Sequence, residues 1–179
     1  MLFITVPSVE MFDEKTNRFY KTKSQDLRLE HSLVSISKWE AKWQKPFLSK
    51  DDKTIEETLD YIRCMTLTQN VPPDVYTRLT ESNIEEVSKY INASMTATTF
   101  TNKNMKPNRE IFTSEVIYYW MIAFNIPFEC QKWHLNRLVT LINICNIKNQ
   151  PAKSMSKRDI MARNKALNAQ RKAQLHTKG

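Results

Sequence analysis

The sequence predicts a mainly α fold (α+β): a helical domain with a small N-terminal antiparallel β element and a basic C-terminal helix. Three observations lead there. Short apolar and aromatic runs of strand type are confined to about residues 1–30. From Ser32 onward apolar residues recur at spacings of three and four, opened by capping-box patterns and closed at prolines. After Pro151 the composition turns basic and poor in large apolar residues. The expected organisation is a domain over 1–150 with the β element at its start, followed by a basic helix or tail over 151–179. A chain of 179 residues suits one domain on the usual prior of roughly 100–200 residues.

Leu2–Val6 is a short apolar run, Asn17–Thr22 carries Phe19 and Tyr20, and Asp26–Glu30 alternates Leu27 and Leu29 with polar neighbours. These predict an antiparallel sheet of two or three strands, too small to stand without helices against it. The polar stretch Asp13–Asn17 reads as a turn in which Asn17 takes positive φ. Ser32–Lys45 places Leu33, Ile36, Trp39 and Trp43 on one helix face and ends before Pro46. Thr54 and Glu57 form a capping box that opens a helix through Leu59, Ile62 and Met65. Pro73–Leu79 predicts a short helical turn, and Ser82 with Glu85 a second capping box before Val87, Tyr90 and Ile91. Met95–Phe100 is rich in Thr and reads as extended, and Asn102–Arg109 as a polar loop. Ser114–Phe124 is apolar on every side and predicts the central core helix. After a turn at Asn125-Ile126-Pro127, the segment Cys130–Cys145 predicts one amphipathic helix. Ser156 caps the last helix, Lys157–Leu175, whose apolar stripe is thin.

The formal net charge is +8, and it is unevenly spread. Eight basic residues and one acid, Asp159, lie from Pro151 to Gly179, which leaves the preceding domain nearly neutral. Such asymmetry points to a partner for the tail, either nucleic acid or an acidic protein surface, or to a tail that only keeps the chain in solution. The candidate partner-binding residues are Lys157, Arg158, Arg163, Lys165, Arg171 and Lys172.

Composition also excludes. The single glycine is Gly179, so no glycine-rich loop can bring backbone N–H groups close to a phosphate. A nucleophile elbow is absent for the same reason. Cys64, Cys130 and Cys145 are odd in number and widely spaced, which suits a reducing cytoplasm and core packing better than a disulfide framework. Met1–Pro7 carries no basic leader, and no apolar run reaches the roughly 18 residues of a membrane span. Neither export nor a membrane is expected.

Candidate chemistry is sparse. His31, His134 and His176 share no helix, so a two-histidine metal motif is missing. His134 reads as a packed, hydrogen-bonded residue, Cys64 as buried on an apolar helix face, and the pairs Asp51-Asp52 and Glu56-Glu57 as helix-start acids. Trp39 and Trp43 alternate with Lys38, Lys42 and Lys45, a pattern that serves base stacking or a core stripe with lysines reaching outward. Ile36 extends the same face and favours the core. The reading is a non-enzyme with no cofactor and no metal.

The order of segments carries one further signal. Glu30–Glu40 (EHSLVSISKWE) is followed by Leu59–Thr68 (LDYIRCMTLT), Met95–Phe100, Tyr118–Cys130 (YYWMIAFNIPFEC), Trp133–Arg137 and Arg163–Lys172. Together these resemble the tail assembly chaperones encoded among the tail genes of long-tailed bacteriophages, over nearly the whole chain. The resemblance implies a chaperone of virion morphogenesis working in the host cytoplasm. Such proteins coat the helical tape-measure protein, recruit tail-tube subunits and leave before the virion is complete. Self-association is compatible with that role. Two rival functions stand beside it: a phage nucleic-acid-binding protein acting through the tail, and a structural tail or connector component.

Overall fold

The computed structural model describes residues 1–13, 17–100, 112–149 and 156–175. Two compact units divide the chain, Met1–Asn146 and Ile147–Gly179. The first begins with four strands, β1 (Leu2–Val6), β2 (Glu10–Asp13), β3 (Arg18–Lys21) and β4 (Gln25–Leu29). β1 pairs antiparallel with β4, and β2 with β3, in two separate two-stranded ladders. Two or three strands were expected; β2 is the addition, since Glu10-Met11-Phe12-Asp13 lacks the alternation that marks a strand. Asn17 takes φ 52° at the tip, as its amide side chain allows.

Both ladders keep one register. Leu2 faces Leu29 and Ile4 faces Leu27; beyond the gap, Glu10 faces Lys21 and Phe12 faces Phe19. Between them Thr22 N–H donates to the Val9 carbonyl at 2.9 Å. The four strands are therefore one long hairpin, interrupted where Pro7 has no N–H to contribute. Arg78 spans the interruption. Its Nη1 donates to the Pro7 carbonyl at 2.9 Å, to Thr22 Oγ1 at 3.0 Å and to the Lys23 carbonyl at 3.4 Å. Nη2 pairs with Asp74 at 3.3 Å.

The helices are α1 (Leu33–Trp43), α2 (Ile55–Met65), α3 (Asp74–Thr77), α4 (Glu81–Asn92), α5 (Ser114–Ala123) and α6 (Leu135–Asn149), with α7 (Lys157–Leu175) in the second unit. Ser32 and Thr54 are N-caps with both hydrogen bonds of the capping box made. The box expected at Ser82 and Glu85 is displaced: Thr80 and Asn83 form it. Asn83 is buried and its Nδ2 also donates to the Thr5 carbonyl of β1 at 3.4 Å, which holds the helix start in that frame. Met95–Phe100 forms no strand. The polar loop read over Asn102–Arg109 lies outside the described residues.

The core centres on α1, which packs against both α2 and α5. Leu33, Ile36 and Trp39 share one buried cluster with Ile4, Leu27 and Leu29 of the hairpin, Tyr61, Ile62 and Met65 of α2, and Leu135, Leu138 and Ile142 of α6. Each such apolar side chain contributes about 1.5–3 kcal/mol by leaving water. α5, expected at the centre, buries only Ser114, Ile117 and Met121. An apolar sequence all round says nothing about which side finds a neighbour, and here one side does. Glu40 of α1 anchors its start: one carboxylate oxygen accepts the Phe47 N–H at 2.8 Å and the other the Ser114 N–H at 2.7 Å. Thr113 makes no side-chain cap bond, so a buried carboxylate from another helix supplies the negative charge favoured at a helix N-terminus.

The single helix expected over Cys130–Cys145 is split. Phe128–Lys132 is a 3-10 turn, Trp133 is extended, and α6 begins at Leu135. The break lets Leu135 N–H donate to the His31 carbonyl at 2.7 Å. β4 is edged by the chain leaving α2, with Leu67 N–H bonded to the Arg28 carbonyl at 2.7 Å, which removes an open strand edge.

Candidate partner-binding surface

His31 and His134 are built into the fold, and His176 lies outside the described residues. His31 and His134 are 2% and 4% exposed, with ring centroids 5.0 Å apart. Tyr61 hydroxyl bonds His31 Nδ1 at 2.5 Å. His134 Nδ1 accepts the Asn136 N–H at 3.3 Å, so its proton sits on Nε2 and is donated to the Tyr90 carbonyl at 3.0 Å. Tyr90 hydroxyl in turn donates to Glu30 at 2.6 Å, whose other oxygen pairs with the Met1 amino group at 3.0 Å. This chain of bonds ties the β4–α1 corner to α2, α4 and the start of α6. Burial, then the facing His134, drives the His31 pKa down to about 3. Burial also lowers His134, with the Tyr90 carbonyl and Glu30 opposing, and raises both tyrosines. Both imidazoles are neutral at pH 7.

Trp39 is buried, its indole N–H donating to the Glu57 carbonyl at 2.9 Å, and Trp43 is half-buried with its own N–H on Asp60 at 2.9 Å. The interleaved Lys42 and Lys45 are held by Asp60 and Glu57. That pattern is a core stripe rather than a stacking platform. Glu57 is held below the usual carboxylate range, first by Lys45 and then by the Thr54 N–H. Beside it lies an open cavity of about 320 Å³ lined by Trp39, Lys45, Asp51, Asp52, Lys53 and Glu57, with Lys53 over the Phe47 ring. Cys130 is buried, whereas Cys64 and Cys145 are half-buried rather than fully enclosed. Burial and Asp60 push the Cys64 thiol up, away from the thiolate that a nucleophile needs. Among the described residues no three His, Cys, Asp or Glu side chains converge as a metal site. No helix among them is long and apolar enough to cross a membrane.

Lys157, Arg158, Arg163, Lys165, Arg171 and Lys172 all lie on α7, and every residue of that helix is exposed. Ser156 begins it: its hydroxyl accepts the Asp159 N–H at 3.1 Å and donates to the Asp159 carboxylate at 2.6 Å. At 3.6 residues per turn, five of the six cations fall within an arc of roughly 140°, and Arg163 projects from the other side. Along the sequence the cations look scattered; the seven-residue interval from Arg158 to Lys165 to Lys172 is the signal that groups them on a helix.

Two apolar surfaces were not foreseen. On α5, Tyr119 and Ile122 are 66% and 61% exposed, with exposed Phe128 following in the 3-10 turn. At the hairpin tip the Phe12 and Phe19 rings pack tilted at 53° with centroids 5.0 Å apart, and Phe19 is 70% exposed. By register they continue the face that carries Ile4 and Leu27 into the core, but among the described residues of the first unit both stay exposed. Uncovered aromatic surface of this kind marks interaction sites more often than isolated apolar residues do. No protein-family model, curated protein or solved structure matches this chain.

Proposed function

We propose that the chain is a non-catalytic tail assembly chaperone of a long-tailed bacteriophage, working in the host cytoplasm. It binds the tape-measure protein and presents it to tail-tube subunits. The observation that carries this reading is α7, a 19-residue helix with no buried residue and six cations. Most helical stability in proteins comes from packing one face, and α7 buries none, so its exposed surface has its best use against a partner. The resemblance of the segment order names the partner as a tape measure, a long helical protein. The exposed aromatics of α5 and of the hairpin tip offer apolar surface of the kind tube subunits need.

The test is co-expression with the tape-measure protein of the same genome, followed by size-exclusion chromatography with light scattering. A soluble complex of defined mass that depends on this chain is the expected result. Insoluble tape measure with this chain eluting alone overturns the proposal, as does stoichiometric recovery of the chain in purified virions, which marks a structural component.

A further inference from the structure

α7 carries a repeat. The basic dipeptide Lys157-Arg158 returns seven residues on in its second position only, as Asn164-Lys165, and after seven more in full, as Arg171-Lys172. The helix is continuous from Lys157 to Leu175, so seven residues make nearly two turns, advance about 10.5 Å and drift only about 20°. The repeat thus becomes two parallel rows, Lys157–Asn164–Arg171 and Arg158–Lys165–Lys172. None of the five cations is ion-paired among the described residues. The one acid of the helix, Asp159, is occupied by the Ser156 cap.

An anionic partner is the chemical complement of such a face, and the period selects its kind. Phosphates follow one another along each DNA strand at about 3.4 Å of axis, so a duplex rewards the number of cations rather than a spacing near 10 Å. A helix laid in a groove also meets backbone on both sides, whereas these cations occupy one arc. α7 has no aromatic residue on which a base could stack. Another α-helix with carboxylates every seven residues repeats at the same distance as the two rows. Flanking charges at that spacing are how paired helices choose partner and orientation.

We infer that α7 recognises an α-helix bearing acidic residues at seven-residue spacing, matched one for one by Arg158, Lys165 and Lys172. This deepens the assembly reading and rests on it only in taking the partner to be a protein.

The experiment uses the full chain and three labelled probes, read by fluorescence anisotropy in about 0.15 M salt. The first is an Ala-rich peptide of roughly 28 residues, long enough to be helical, with paired Glu every seven residues. The second has the same composition with the Glu residues spread around the helix. The third is a DNA duplex of about 20 base pairs, roughly two turns. The spaced peptide is expected to bind about tenfold more tightly than the dispersed one, the effect of three exposed ion pairs. The triple variant Arg158→Glu, Lys165→Glu, Lys172→Glu loses that preference and gains it for a peptide with Lys in place of Glu. This swap reports on the rows even if the variant helix is less stable. Equal affinity for the two acidic peptides, or tighter binding of the duplex, overturns the inference. A tape-measure complex in that event leaves the assembly reading standing, so the two failures are distinguishable.

Discussion

Lowering the pH from 7 to 5 is expected to cost the fold about 2 kcal/mol through His31 alone. In an unfolded chain this imidazole has its ordinary pKa of 6.5, but in the folded protein burial and the facing His134 bring it to about 3. Between those values the unfolded state binds a proton that the folded state refuses. The stabilisation is thus complete above 6.5 and is lost as pH falls toward 3, at up to about 1.4 kcal/mol per pH unit. At pH 5 the medium lies about 1.5 units below the unfolded pKa, which yields the figure of about 2 kcal/mol. His134 is shifted the same way, by burial first, and steepens the slope. Glu57 and Glu115 lie below their ordinary 4.5 and so titrate outside this window. The assay is urea unfolding followed by tryptophan fluorescence, with buried Trp39 as reporter, at pH 7, 6 and 5. His31→Asn is the comparison: its absolute stability is lower, because Tyr61 loses a partner, but its loss between pH 7 and 5 should be smaller by about 2 kcal/mol. Wild type and variant falling in parallel would refute the reasoning, since His31 would then be charged in the folded state.

Arg78→Met should cost about 2 kcal/mol by urea unfolding, because the carbonyls of Pro7 and Lys23 and Thr22 Oγ1 lose their shared donor. A loss under about 0.5 kcal/mol would mean that the strand register holds without the guanidinium. Along the same hairpin, Leu27→Ala should cost roughly 2–5 kcal/mol, whereas Phe19→Ala at the exposed tip should cost less than about 1 kcal/mol. Equal losses in thermal or urea unfolding would show that the tip is covered in solution.

The legible parts of this fold are those whose cause lies within a few residues. Ser32, Thr54 and Ser156 each reach an N–H three positions on, so a reader of the sequence finds those helix starts. Asn17 and Asn125 take positive φ where no glycine is present. The box misplaced at Ser82 shows the limit, because both Thr80 and Ser82 offer a competent hydroxyl and Asn83, which closes the box with Thr80, also reaches the Thr5 carbonyl. The candidate site divides in the same way. All six basic residues were visible as charges, and the seven-residue spacing of Arg158, Lys165 and Lys172 is present in the letters. The aromatic surfaces of α5 and the hairpin tip were not, since Tyr119 and Phe19 look like core residues until their neighbours are known.

The sequence by itself determined the helix starts at Thr54 and Ser156, the α-rich class and the concentration of positive charge after Pro151. Tertiary structure alone decided that α1 and not α5 is central, that Glu40 caps a helix begun 74 residues later, and that two strand pairs share one register. The physical reason is range. Caps and turns are hydrogen bonds closed across three or four positions and carry their own residue signature. Burial depends on which distant segment arrives at a face, and an apolar side chain has the same composition whether that face is covered or open to water.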